Sequence, residues 1–281
     1  MINVFHTISE TRAAVSRQLA DSKTIGFVPT MGALHEGHLK LVRQAALDND
    51  FVVVSIFVNP IQFNNTEDLE KYPRTLDTDL ALLEGTGCQL VFAPSVAEMY
   101  PEPDLTEFDF GMLDKVMEGK FRPGHFRGVA VVVKKLLEIV NPGKAYFGEK
   151  DFQQLAIIKK MVSDHKMPVE IIPCPIVREP DGLAMSSRNS RLTPAERNEA
   201  PVIFRTLSGI KESHTWFTPD GVRQLIRGEI QESPLFRLEY VDIVDTETLQ
   251  PFEDWMDAEH AVVCVAAFIG SVRLIDNIIL Y

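Results

Sequence analysis

Two histidines, His35 and His38, stand three apart in the stretch VPTMGALHEGHLKLV, where an apolar run gives way to helical spacing. A neutral imidazole can donate a hydrogen bond to a phosphate oxygen. A helix start adds unsatisfied backbone N–H groups and partial positive charge, which also suit phosphate. Gly32 and Gly37 would let the backbone come close to such a ligand. The pair does not match the HExxH spacing of a zinc helix and has no evident third ligand, so a metal fits less well. The plainer alternative is two capping or solvated histidines.

Four further stretches carry residues of the same kind. FVNPIQF ends an apolar run with Asn59 and Gln62, amides that can hold a substrate bearing hydroxyls and a carboxyl. KFRPGHFRGVAVVV gathers Arg122, His125 and Arg127, a local basic patch between glycines that suits an anion. YFGEKDFQQLAIIKK places Gly148, Lys150 and Asp151 at a strand end, with Gln153 and Gln154 in the helix start that follows. A lysine there can offset charge growing on a phosphate. GLAMSSRNSRL offers Ser186, Ser187 and Arg188, two hydroxyls and a guanidinium with bidentate reach. Each has a bland counterpart: a polar turn, a solvated loop, a helix cap with exposed glutamines.

The elements that must position these residues follow from periodicity. KTIGFVPT reads as a buried strand, HLKLVRQAAL as a helix with Leu39, Val42 and Ala46 on one stripe, and DFVVVSIFVN as a strand buried on both faces. Together they make a βαβ unit. TLDTDLALLEGTG predicts a helix ending at glycine, and CQLVFAPS the next strand. Ser95 and Glu98 have capping-box spacing. After Gly128 an apolar stripe runs from Val129 to Val140 and stops at Asn141-Pro142-Gly143. KAYFG, DFQQLAIIKKMV and VEIIPCPIV continue the alternation of strand and helix, which implies a parallel sheet covered on both faces. The fold class expected is α/β, a Rossmann-like doubly wound parallel sheet.

The texture changes near Pro180-Asp181-Gly182. Thr193, Pro194 and Glu196 predict a capped helix, which Pro201 should kink or split. Thr218-Pro219 opens another helix, and RLEYVDIVD, HAVVCVAAFIG and VRLIDNIIL read as antiparallel strands. The expected organisation is a Rossmann-like domain over 1–176 and a smaller C-terminal α+β domain over 177–281.

Composition narrows the function classes. The chain has 281 residues, 45% of them hydrophobic, and a formal net charge of −12. That charge disfavours nucleic acid as a partner but leaves room for a local anion pocket. Cys88, Cys174 and Cys264 are scattered, which points to a reducing, cytoplasmic setting and away from a disulfide framework. No apolar run reaches the ~20 residues of a membrane span, and no signal peptide is read at the start.

HEGH early and MSSRN late resemble the HIGH and KMSKS signatures of the adenylate-forming nucleotidyltransferase superfamily. The segments PTMGALHEGHLKLV, SIFVNPIQF, YPRT, RPGHFRGV, FGEKDFQQL and DGLAMSSRN look more closely like the pantoate–β-alanine ligase family, and RLIDN near the end fits as well. The resemblance is strong over 24–192 and looser beyond. It implies ATP, (R)-pantoate and β-alanine as substrates, Mg²⁺, a pantoyl adenylate intermediate and a homodimer. It places Met31, Gly32, Ala33, Leu34, His35, Glu36, Gly37 and His38 along ATP, with His38 as proton or hydrogen-bond donor to the phosphate and His35 assisting. Gly148, Glu149, Lys150 and Asp151 would also bind ATP, Lys150 offsetting negative charge in catalysis. Val177 would touch adenine, while Met185, Ser186, Ser187 and Arg188 would close over the phosphates. Gln62 and Gln154 would hold pantoate, with Gln62 also near β-alanine. The resemblance names no Mg²⁺ ligands. The polar stretch after Gln62 and the MSSR loop are candidate lids. Two alternatives stay open: a nucleotidylyltransferase acting on another small acid or phosphate, and a nucleotide-binding regulator without turnover.

Overall fold

The structure is a computed structural model and describes residues 2–281. Among them, six strands form one sheet: β1 (Asn3–Phe5), β2 (Ile25–Thr30), β3 (Phe51–Ile56), β4 (Cys88–Phe92), β5 (Lys144–Gly148) and β6 (Glu170–Cys174). Their order is β1-β4-β3-β2-β5-β6, and every pairing is parallel. Phe27, Val28, Val52, Val53 and Val54 have no exposed surface, which is why these strands read as unbroken apolar runs. Each such side chain contributes on the order of 1.5–3 kcal/mol by leaving water.

Helix α1 (Ile8–Ala20) follows β1, and α2 (Glu36–Asp48) joins β2 to β3. Leu39, Val42 and Ala45 of α2 are buried; Ala46, expected on that stripe, is only partly so. The strand order reverses at β2. The chain leaves β2 for β3 on one side and later sets β5 on the other, and in open α/β sheets ligands bind beyond the strand ends at such a switch point.

Periodicity predicted no element before Lys23, yet β1 and α1 lie there. The reason is physical: β1 has three residues, and α1 buries only Thr11 and Val15, too thin a stripe to read. Ser95 does cap a short helix, Val96–Met99, by accepting from the Glu98 N–H. The expected reciprocal bond is replaced, because the Glu98 carboxylate accepts the Ile8 N–H at 2.7 Å instead.

The chain forms two compact units. One runs to Phe110 and adds Arg122–Glu149 and Gln154–Pro175; the other takes Gly111–Phe121, Lys150–Gln153 and Ile176–Tyr281. The chain thus passes between the units at several places, the last of them at Pro175 and Ile176. Gln153 shows why its segment belongs to the second unit: its amide donates to the carbonyls of Leu113 and Val116 and accepts the Glu118 N–H.

The second unit carries an antiparallel sheet, β7 (Phe236–Asp245), β8 (Ala261–Ile269) and β9 (Val272–Ile279), in that order. Helices Val202–Ser213 and Pro219–Gln231 cover it with Ile203, Leu207, Ile210, Val222, Ile226 and Ile230. Thr193 and Glu196 form a complete capping box, and the helix they open ends at Glu199, with Pro201 starting the next.

Candidate active site

The switch-point turn is built from β2 outward. The Thr30 hydroxyl donates to the Ser55 carbonyl at 2.8 Å and accepts the Gly32 N–H at 3.2 Å. Gly32 (φ +80°) and Ala33 (φ +50°) are both left-handed. A Cβ on Gly32 would also meet Ile56 and Asp79 at 3.0 Å, so only glycine suits the position. Ala33 carries a left-handed strain of roughly 1–2 kcal/mol. Asp79 offsets it from helix Leu76–Leu83, accepting the N–H groups of Ala33 at 3.0 Å and Leu34 at 2.8 Å.

His35 then caps α2. Its Nδ1 accepts the Gly37 N–H at 3.2 Å, and the His38 Nδ1 accepts the His35 N–H at 3.3 Å. The rings lie 4.1 Å apart between centroids, tilted by 39°. With Nδ1 used as acceptor on both rings, each neutral imidazole carries its proton on Nε2. Capping through Nδ1 is therefore compatible with donation from Nε2 of a neutral ring. The turn also departs from the expected backbone cradle. The N–H groups of Gly32, Ala33, Leu34, His35 and Gly37 all bond within the protein.

Gln62 lies in a short 3-10 turn, Pro60–Gln62, beyond β3. Its Nε2 reaches the Met31 sulfur at 3.3 Å, and its Oε1 accepts from Asn59 at 3.0 Å. Met31 and Gln62 are thereby brought together. Asn59, expected on the substrate rim, is instead buried, donating to the Gly128 carbonyl and accepting from the Tyr100 hydroxyl. Burial raises the Tyr100 hydroxyl pKa, with Asp104 adding to the effect. The polar stretch after Gln62 holds a helix, Thr66–Glu70, capped by Asn65.

The basic patch also differs from expectation. His125 is buried and its ring nitrogen bonds the Gln62 carbonyl at 2.8 Å; Arg127 donates to the Asp104 carbonyl. Both brace backbone. A cleft of ≈ 320 Å³ opens at Met31 and Gly32, lined also by Ile56, Arg74, Thr75 and Ser95. Gly148 ends β5, and Glu149 starts the 3-10 turn Glu149–Asp151 that leads into helix Phe152–Asp164. Gln154, in the first turn of that helix, is half-buried.

In the second unit, the Lys150 ammonium stands 3.9 Å from the Asp151 carboxylate. The Met185 N–H donates to the Val177 carbonyl at 2.9 Å, closing a small hairpin. Gly182 turns it at φ +94°, where a Cβ would run into the Phe204 ring. Ser186 Oγ accepts the Arg188 N–H at 3.2 Å and starts the 3-10 turn Ser187–Arg191. Met185, Ser186, Ser187 and Arg188 are all half-buried.

Sequence reasoning missed Asp79. Its segment reads as an ordinary helix, and its one signal, a carboxylate in the first turn, is shared with exposed Asp77.

Similarity to known proteins identifies the family. The family model for pantoate–β-alanine ligase matches residues 3–279. Pantothenate synthetase of Phocaeicola vulgatus is 54% identical over 281 residues, covering 99% of each chain. That of Bacteroides thetaiotaomicron is 52% identical over 277 residues, covering 99% of this chain and 98% of the relative. The crystal structure of pantothenate synthetase from Thermus thermophilus superposes with a TM-score of 0.93 at 46% identity, covering all of both chains. The Francisella tularensis pantoate–β-alanine ligase, complexed with beta-gamma ATP and β-alanine, gives 0.83 at 36% identity, covering 100% of this chain and 98% of that one. By sequence and by fold, this chain belongs to the pantoate–β-alanine ligase family.

Proposed function

We propose that this chain uses ATP to join (R)-pantoate to β-alanine through a pantoyl adenylate. A carboxylate is a poor acylating agent because oxide leaves badly. In the first step a pantoate carboxylate oxygen bonds to the α-phosphorus and the bond to pyrophosphate breaks. In the second the β-alanine amine attacks the acyl carbon, AMP leaves with the bonding pair, and the amine gives up a proton. The products are pantothenate, AMP and pyrophosphate.

The observation that carries this reading is the self-capped turn at the switch point, where Nδ1 of His35 and of His38 accepts a backbone N–H, so that a neutral ring would present Nε2–H as its donor. Two anions meet in the first step, so donors held in place before reaction stabilise the developing charge. His38 is the principal donor and His35 assists. Met31–His38 and Gly148–Asp151 bind ATP, Lys150 offsets phosphate charge, Val177 meets adenine, and Met185–Arg188 hold the phosphates. Gln62 and Gln154 hold pantoate, Gln62 also facing β-alanine. Neutral amides suit a carboxylate that becomes a neutral mixed anhydride.

Mg²⁺ would lower the phosphate charge that repels the attacking carboxylate. Among the described residues no three His, Cys, Asp or Glu side chains gather as a metal cage. An ion carried mainly by nucleotide phosphates needs at most one or two carboxylates, and Glu36, Glu149 and Asp151 are the carboxylates of the segments assigned to ATP. No described helix is long and apolar enough to cross a membrane. A cytoplasmic homodimer completes the reading, in keeping with three buried free cysteines; light scattering tests the dimer.

The test is to incubate the protein with Mg·ATP and pantoate, with and without β-alanine, and follow products by mass spectrometry. Pantothenate and AMP should appear together only with β-alanine and vanish in His38→Ala. A folded, ATP-binding protein that makes no pantothenate would overturn the reading.

A further inference from the structure

The last strand carries two consecutive polar residues, Asp276 and Asn277, only 5% and 4% exposed. The reaction outlined above gives neither of them a role. Buried polar side chains need partners, and theirs are specific. The Asn277 amide donates to the backbone carbonyl of Lys150 at 3.0 Å. Asp276 takes Arg178 in a two-pronged ion pair, Nη1 to Oδ2 at 2.6 Å and Nη2 to Oδ1 at 2.9 Å.

The backbone is tied in as well. β9 is an edge strand. The Asn277 N–H donates to Asp276 Oδ1 at 2.8 Å, and its carbonyl accepts from Arg178 Nη2 at 3.4 Å. Groups that would leave the edge open are thereby filled. Arg178 also donates to the Gly182 carbonyl at 3.1 Å and lies 4.2 Å over the Phe204 ring. It follows Val177 and bridges to Ala184, which precedes Met185. One dipeptide therefore grips two segments, Lys150 through its backbone and the Val177–Met185 hairpin through Arg178.

We propose that Asp276 and Asn277 are positioning residues for the adenylation half of the reaction: Asn277 sets the backbone at Lys150, and Asp276 sets the hairpin that ends in Met185–Arg188. This rests on the ligase reading above. Neither side chain is assigned contact with substrate. Both act through segments that serve ATP, so their loss should slow adenylate formation and spare its use.

The test separates the two half-reactions in Asn277→Ala, Asp276→Asn and Arg178→Lys. Pantoate-dependent ATP–pyrophosphate exchange reads the first, and aminolysis of saturating, presynthesised pantoyl adenylate by β-alanine reads the second. Exchange should fall by about tenfold or more in Asp276→Asn, the scale of one lost charge-assisted hydrogen bond, and by about three- to tenfold in Asn277→Ala, which loses a neutral one, while aminolysis stays within about twofold. Arg178→Lys keeps the charge without the fork and should lose less than Asp276→Asn. If Asn277→Ala does not fold, Arg178→Lys and Asn277→Ser carry the test. Glu239→Gln weakens another ion pair of the same unit, to Arg273 at 2.5 Å, and should lower the melting temperature without splitting the half-reactions. Equal losses in both half-reactions, or none in a folded variant, overturn the proposal. A wild-type chain without exchange overturns the ligase reading, and this proposal with it.

Discussion

The backbone N–H of His35 donates to Nδ1 of His38 across 3.3 Å, so the second histidine closes the turn that the first one opens. Rate and stability can therefore be pulled apart at this position. His38→Ala removes both the proposed phosphate donor and the cap. Adenylation should slow by about 10²-fold or more, and stability should drop by about 1 kcal/mol. His38→Asn offers a side-chain oxygen for the cap, so stability should return while most of the rate stays missing. Pyrophosphate exchange and chemical denaturation measure the two. A His38→Ala enzyme near wild-type rate would remove His38 from the chemistry.

Asp79 supports the same turn from a helix 46 residues downstream of Ala33. Asp79→Ala leaves the N–H groups of Ala33 and Leu34 without their acceptor, at a cost of about 1–3 kcal/mol per orphaned group. Asp79→Asn keeps one acceptor oxygen and should fall between Ala and wild type. Urea unfolding gives the order, and exchange assays should follow it, since the turn carries Met31 and leads into His35. An Asp79→Ala protein as stable as wild type would show that the turn does not depend on this carboxylate.

The contrast between what the sequence shows and what it hides is itself physical. β3 announced itself because both faces are buried, and the Thr193 box because its partners lie three residues apart. The HEGH and MSSR stretches stand out because residue type and local spacing are what a sequence displays directly. Asp79 was invisible for the opposite reason, and the RLIDN stretch that ends in Asn277 entered only as part of the family resemblance, with no role attached. Each of these two side chains bonds a backbone group, which any residue can present, and Asn277 is 127 residues from Lys150. Asn59 and His125 were read as rim and anion groups because a polar side chain beside glycine looks the same whether it faces ligand or braces a turn.

The cysteines give a prediction about reactivity. Burial pushes the Cys88 thiol up to about 12 and Cys174 up to about 11, and raises Cys264 too. The thiolate is the reactive form, and a raised pKa makes it scarcer at any working pH. At pH 8 the native protein should react slowly with Ellman's reagent, and all three thiols should react once it is denatured. Activity should be unchanged by the reagent over the same period. One fast-reacting thiol in the native protein would contradict the burial of that residue.

Gly128 offers the sharpest test of the pantoate assignment, because it reaches Gln62 without touching it by side chain. A Cβ at 128 would stand 2.4 Å from the Ile61 carbonyl oxygen and 2.6 Å from the Gln62 Cα. Those are backbone atoms, so the 3-10 turn itself must move. Its movement would pull the Gln62 amide away from Asn59 and Met31, the two groups that aim it. Gly128→Ala should then raise KM for pantoate by about tenfold, since a displacement near 1 Å is enough to misplace a reacting group. KM for ATP should change little. Overpacking should also lower stability by about 1–3 kcal/mol, which a melt detects independently. Gln62→Ala provides the comparison: it should raise the same KM without the stability loss. If folded Gly128→Ala binds pantoate as well as wild type, the Pro60–Gln62 turn is not what holds that substrate, and Gln154 must carry the carboxylate alone.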